Sequence, residues 1–287
     1  MVAALRVASW NIRSAIGAGP FPDRWWSHID ADRLRAIGAF ISTLDADIMA
    51  LQEVAIVGRD GDLVDNAGEL GRQLGMEVRY AAVRSFEVVE DGAVLGVGSL
   101  GNALLSRLPI RAARTVALPA SPDEAFIEPP GAAHPAAGVR YTDAPATIRE
   151  PRCLLVAQID GVTVGTTHFS HIGSGERLLQ AAATVAAFGG ASPALLLGDL
   201  NAAIDAPDLA PFASWTDGFA EPPGDPARIS TDDRLRIDQV LARRASVQGC
   251  RVVRESGDLS DHFPVVAEVV LHSSQAAHGH ERLGSGR

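Results

Sequence analysis

Apolar residues in this chain come in short unbroken runs rather than long periodic ones. "ALRVASWNI" (4–12), "DIMALQEV" (47–54), "VTVGTTHFS" (162–170), "ALLLGDLN" (194–201) and "FPVVAEVVL" (263–271) each read as a buried strand. "MEVRYAAVRSFEVV", "NALLSRLPI", "RAARTVAL", "RCLLVAQID", "RIDQVLA" and "VQGCRVVRE" add further strands, and Asp160-Gly161 predicts a hairpin turn. Helical spacing is rarer. In "DADRLRAIGAFISTL" (30–44), Leu34, Ile37, Ile41 and Leu44 fall on one face, with Asp30 as the N-cap. A polar helix is predicted near 65–74, and another over "GERLLQAAATVAAF", capped by Ser174 and ended by Gly189-Gly190. Residues 13–29 form a loop carrying Trp25 and Trp26. Residues 119–149 lose all periodicity, with prolines at 119, 122, 129, 130, 135 and 145. The tail 272–287 is small, polar and expected to be disordered. The pattern suits one α+β domain over 1–271: two sheets packed face to face, helices outside.

Charge narrows the partners. The chain has 287 residues and a net charge of −10, from 25 basic and 35 acidic residues. That argues against a protein that coats nucleic acid nonspecifically, but not against a nuclease with a local arginine cluster. Two cysteines, Cys153 and Cys250, make neither a disulfide framework nor a zinc spacing. Both read as buried strand residues, a single disulfide being the alternative. The N-terminus lacks a signal-peptide pattern and no apolar run reaches membrane-spanning length, so a cytoplasmic, soluble monomer is the expectation.

Polar residues of one kind recur where the strands end. Asn11, Gln52, Glu53, His168, Asp199, Asn201, Asp238, Asp261 and His262 all border apolar runs. Any one of them suits a local turn or a satisfied interior group. Together, at one rim of a sandwich, they converge on a shared cleft. Glu53 with Asn11, Asp261 or Asp199 could supply oxygen ligands to Mg²⁺. His262 with Asp261, or His168 with a carboxylate, suits a base and a charge stabiliser. Asp199 and Asn201, two apart on an extended segment, face the same way. Rival motifs are weaker. "GVGSLG" (96–101) matches a dinucleotide pattern, but no helix follows it. His168 and His171 in "HFSH" end a strand, whereas zinc hydrolase pairs sit on helices. No G-x-S-x-G is present.

"SWNIR", "DIMALQEV", "GNALLSR", "TTHFSH", "LLLGDLNA", "RIDQVLA" and "SDHFPVVAEV" appear in the order found in the endonuclease/exonuclease/phosphatase superfamily. Over roughly residues 5–270 the chain resembles those metal-dependent phosphoesterases, deoxyribonuclease I-like proteins among them. The resemblance implies a four-layer αββα sandwich of two mostly antiparallel sheets. It implies a phosphoric ester hydrolase using Mg²⁺, with Mn²⁺ or Ca²⁺ as alternatives. It places Asn11, Glu53 and Asp261 on the metal side, with Glu53 the main ligand. It makes His168 a phosphate contact or acid, Asp199 and Asn201 the nucleophile-orienting pair, Asp238 the partner of a catalytic histidine, and His262 the general base. Arg149, or alternatively Arg152, in "IREPR" corresponds to a phosphate-binding arginine, and Asn102 falls near the cleft. The substrate could be nucleic acid, a phospholipid or a small phosphorylated molecule. Trp25 and Trp26 could then serve membrane contact, a lid or the core. A non-catalytic binding protein of the same fold is the opposing reading.

Overall fold

The computed structural model describes residues 4–59, 61–121, 127–128, 133–134, 138–142, 147–148, 151–191 and 193–271. The expected tail and much of the proline-rich stretch, including Arg149, lie outside the described residues.

Two sheets form the middle of the protein. The first is built from β1 (Ala4–Asn11), β2 (Ile48–Arg59), β3 (Asp62–Asp65), β4 (Glu77–Glu90) and β5 (Ala93–Ser106). The second begins with β6 (Ile110–Ala117). Next in the chain are the short β7 (Ile127–Glu128), β8 (Ala133–His134), β9 (Val139–Tyr141) and β10 (Thr147–Ile148); β8 and β9 join the first sheet, and β7 and β10 pair with each other. Then come β11 (Cys153–Ile159), β12 (Val162–His168), β13 (Ala194–Asp199), β14 (Thr216–Asp217), β15 (Asp238–Arg243), β16 (Ala245–Val252) and β17 (Val265–Leu271). The first sheet is ordered β16-β17-β1-β2-β5-β4-β9-β8 with β3 added to β2; the second is β14-β15-β13-β12-β11-β6. β1–β2 and β12–β13 pair in parallel, and the other pairs are antiparallel.

Helices close the outer faces, as the sequence predicts. α1 (Ala31–Leu44) starts at Asp30, whose carboxylate accepts from the N–H groups of Asp32 and Arg33. With α2 (Asn66–Leu74), α1 covers Trp10, Met49, Leu51 and Leu105 of the first sheet. α3 (Ser174–Phe188) covers Leu154 and Leu196 of the second, with Trp215, just before β14, packed into the same cluster. Between the sheets Val7, Ile48, Leu104, Leu155, Val164, Leu197 and Val265 interlock in a third cluster. The result is an αββα sandwich. Asp160 and Gly161 both adopt positive φ, the conformation of a tight hairpin turn between β11 and β12.

Several expectations change. The N-cap of α3 is Gly173; Ser174 is its first helical residue and makes no capping bond. "NALLSR" is only the end of a long strand. "GVGSLG" lies wholly inside that strand, where its glycines permit close packing: a Cβ on Gly96 would meet Gly58 O at 1.8 Å. The stretch expected to be irregular contributes β9 to the edge of the first sheet. Trp25 and Trp26, 9% and 5% exposed, pack with Ile16, Phe86 and Val139 rather than facing outward. Other expectations hold: both cysteines are buried and free. Among the described residues no helix is long and apolar enough to cross a membrane.

Candidate active site

The two parallel pairings align the strand ends that matter. β1 and β2 register Asn11 against Gln52, and β12 and β13 register His168 against Asp199. β13 and β15 then set Asp199 beside Asp238. Register aligns these residues within each sheet, and the packing of one sheet on the other brings Asn11, His168, Asp199 and Asp238 to one rim.

A bulge in β2 between Leu51 and Val54 handles two consecutive polar residues. Gln52 points between the sheets, where its amide donates to Thr166 Oγ1 at 2.9 Å. Glu53 sits at φ 52° and turns to the cleft instead. Such a left-handed conformation is unfavourable for a residue with a side chain, and a bulge is the device that re-aims one. Asn201 is also left-handed, at φ 49°.

Asp199 is the hub. Its Oδ1 accepts from the Asn201 N–H at 3.0 Å. Its Oδ2 lies 3.3 Å from Asn11 Nδ2, 3.3 Å from His168 Nε2 and 3.7 Å from His262 Nε2. Asn11 also donates to Glu53 Oε1 at 2.8 Å, while its own oxygen accepts from the Arg13 N–H. The amide nitrogen of Asn11 thus joins the two carboxylates, and its oxygen is turned away from them. His262 Nδ1 lies 2.9 Å from Asp238 Oδ2. Its loop is pinned by Trp10 Nε1 donating to His262 O and by Ser260 Oγ donating to Asn11 O. Asp199, Asp238 and His262 offer ligand atoms within 4.8 Å of one another.

Electrostatics divide the two histidines. Burial, reinforced by the charges of Arg152, His262 and His171, holds His168 well below the usual imidazole range. Burial also opposes a charge on His262, but Asp238, through its charge and hydrogen bond, with Asp199 and Asp261, pushes it up to about 10. Burial, then the charge of Asp238, pushes Asp199 up to about 7 against the pull of His262.

The cleft above this floor has a volume of about 670 Å³. Asn102 and Arg152 line it, and Asn102 Nδ2 donates to Cys153 O at 3.2 Å. Asp261 is the outlying member of the predicted set: it pairs with Arg13 Nε at 3.2 Å. Arg84, Tyr141 and Phe21, which sequence reasoning left without an assigned role, also line the cleft. Arg84 lies in strand sequence that shows no special signal and Tyr141 in the proline-rich stretch, and only the pairing of β9 with β4 brings the two together.

A mostly antiparallel αββα sandwich with buried carboxylates, amides and histidines gathered at one strand-end rim defines a class: the deoxyribonuclease I-like fold. The family model of the Endonuclease/Exonuclease/phosphatase family matches residues 8–262, and the chain belongs to that family. Among solved structures it is similar to an endonuclease/exonuclease/phosphatase from Beutenbergia cavernae, at 23% identity and TM-score 0.68, over 93% of this chain and 72% of that one. It is similar to the human Nocturnin catalytic domain with bound sulfate, at 17% identity and TM-score 0.60, over 93% and 94%. Zebrafish (D. rerio) TDP2 complexed with a single-strand DNA product matches at 15% identity and TM-score 0.58, over 93% and 99%. No curated protein matches the chain significantly.

Proposed function

We propose that the protein is a divalent-metal-dependent phosphoesterase that cleaves phosphodiesters by attack of an activated water. The observation that carries this reading is the convergence on Asp199 of Asn11, His168, Asn201 and His262, with Glu53 beside them. Hard oxygen donors with an amide holding them suit Mg²⁺, and Mn²⁺ or Ca²⁺ less selectively. Glu53 would hold the ion and Asn11 would hold Glu53; Asp261, engaged with Arg13, would orient the loop. When bound, the ion supplies neutralisation of charge on the phosphate and the leaving oxygen.

The residues divide the remaining work. Asp199 has the proton affinity of a base for neutral pH, so it would accept the proton of the attacking water. Asn201, whose N–H fixes Asp199 Oδ1, holds that carboxylate in place. The resemblance assigns the base role to His262. Asp238 keeps that imidazole charged, which suits donation from Nε2 to a non-bridging phosphate oxygen. Neutral His168 would donate a second hydrogen bond, and Arg152, with Arg149, would contact the phosphate through its planar fork. Asn102, held on Cys153 O, lines the substrate side of the cleft.

Nucleic acid is the favoured substrate class because two arginines line the cleft. One observation favours a lipid headgroup instead: Leu63 and Val97, 70% and 65% exposed, sit on either side of Gly58. A Mg²⁺/Mn²⁺ panel separates these readings, comparing plasmid DNA, RNA, bis-p-nitrophenyl phosphate, p-nitrophenyl phosphate, sphingomyelin and inositol phosphates, with His262→Ala as control. Turnover of diesters that falls about 10²-fold or more in the variant is expected. No turnover of any substrate with either metal would sink the proposal.

A further inference from the structure

One aromatic side chain stands in the cleft with no part in the chemistry above. Phe21 is 58% exposed, the only exposed Phe, Tyr or Trp among the described residues, and it lines the same cleft as Glu53, Asn201 and His262. The nearby Trp25 and Trp26 turn inward, whereas a built turn holds this ring outward. Arg13, Ser14 and Ala15, soon after β1, sit at φ 45°, 52° and 61°. Three residues with side chains keep that conformation in a row only where their surroundings over-determine it. Here the buried Arg13 donates from Nη1 to Gly17 O at 2.8 Å and to Gly19 O at 2.7 Å, and its Nε pairs with Asp261. The Ala18 N–H donates to Asp258 O at 3.0 Å. The Arg13 guanidinium carbon lies over the Phe21 ring, 5.3 Å from its centroid, and the Trp25 ring lies 6.4 Å away. The same turn serves the metal side of the site. Ser14 Oγ donates to Glu53 O at 2.9 Å, and the Arg13 N–H donates to Asn11 Oδ1 at 3.0 Å. Phe21 is thus tied to Glu53 and Asn11 through one hydrogen-bonded turn.

We infer that Phe21, backed by Arg13, is a stacking platform for a flat aromatic group that the substrate carries beside its scissile phosphate. One ring offers little area to an acyl chain but a stacking surface to a flat π system. The inference rests on the phosphoesterase reading and deepens it: the flat group is either the base of a nucleotide unit or the aryl group of a small phosphate ester.

Binding, rather than turnover, tests it. Calorimetry on His262→Ala protein with Mg²⁺ compares adenosine 5′-monophosphate with ribose 5-phosphate, and phenyl phosphate with methyl phosphate. Both members of a pair carry the same phosphate, so any loss of phosphate affinity in the variant cancels in their ratio. The aromatic member should bind at least about tenfold tighter in one or both pairs, the scale of one stacked ring. A preference confined to the nucleotide pair assigns the platform to a nucleobase, one confined to the phenyl pair to an aryl ester, and one in both to aromatic groups generally. Adding Phe21→Ala should bring the ratio to within about twofold, Phe21→Leu should lower it, and Phe21→Trp should keep it. Phe21 is exposed, so these variants should fold, which the melting temperature checks. Equal binding within both pairs, no measurable binding in either, or a ratio that survives Phe21→Ala overturns the inference. If Phe21→Ala fails to fold, an unchanged ratio in Phe21→Leu overturns it equally. Hydrolysis of bis-p-nitrophenyl phosphate by the wild type, measured alongside, reports separately on the phosphoesterase reading.

Discussion

Asp238→Asn separates charge from shape at the histidine on which the site turns. The carboxylate is 1% exposed and lies 2.9 Å from His262 Nδ1. Its charge and hydrogen bond are the largest of the effects that raise His262 from 6.5 to about 10 against burial. At 1.36 kcal/mol per pH unit that displacement corresponds to a preference on the order of 5 kcal/mol for the charged imidazole. Asparagine keeps the shape and can still accept from Nδ1–H, but the attraction to the charge is gone and burial then dominates. In metal-free protein, the His262 ring proton followed by NMR should titrate near pH 10 in the wild type and below about pH 7 in the variant. The effect on stability has a definite sign. A histidine whose folded pKa is raised stabilises fully below its unfolded value of about 6.5, and that contribution fades as pH rises through about 10. The stability gap between wild type and variant should therefore be widest in mild acid and narrow as pH rises through about 10. A residual gap of about 1–3 kcal/mol should persist, because the new amide nitrogen would be buried beside an Asp238 oxygen position that has no partner. A wild-type His262 that titrates near 6.5, or an Asp238→Asn variant that titrates like wild type, would refute this electrostatic account.

Other positions give sharper single readouts. Glu53→Gln should weaken Mg²⁺ binding by tenfold or more in calorimetry, roughly the effect of losing one carboxylate from a site that has few, and leave the melting temperature nearly unchanged. Gly198→Ala should destabilise by about 1–3 kcal/mol or more in denaturant unfolding, because the added Cβ would meet Thr167 O at 2.2 Å in the parallel β12–β13 pair. Cys153 and Cys250 should stay unreactive to a thiol reagent at pH 8 until the protein unfolds, then react as two thiols, since burial pushes both thiols up, Cys153 to about 12.

Much of the rim was legible because strand ends leave a local mark. "ALLLGDLN" places a buried run against Asp199, and parallel pairing with "VTVGTTH" puts His168 opposite it. The partnership of His262 with Asp238 also followed the motif order, although 24 residues separate them. Protonation was not legible. Motif order cannot say that two further carboxylates, Asp199 and Asp261, act on the same imidazole, and that count underlies our proposal of Asp199 as the base. This part of the cleft lining was hidden for a different reason. Arg84 and Tyr141 are 57 positions apart and meet only because β9 pairs with β4, in a stretch whose prolines suppress any strand signal. The cap of α3 was misread because Ser174 opens a helical run, yet the last extended residue is Gly173 and Ser174 already lies in the helix. For Trp25 and Trp26 the sequence left membrane contact, a lid and the core open, and Phe86 and Val139 decide for the core by supplying a pocket that only the folded sheet creates.

The central claim is that the carboxylates and imidazoles gathered around Asp199 perform metal-dependent phosphodiester hydrolysis. The direct measurement is the initial rate on bis-p-nitrophenyl phosphate with Mg²⁺, with excess chelator, and with Asp199→Asn protein of confirmed fold. The account predicts turnover that the chelator abolishes and that the substitution lowers about 10²-fold or more. Full activity in chelator, or near-wild-type rates in Asp199→Asn, would contradict it.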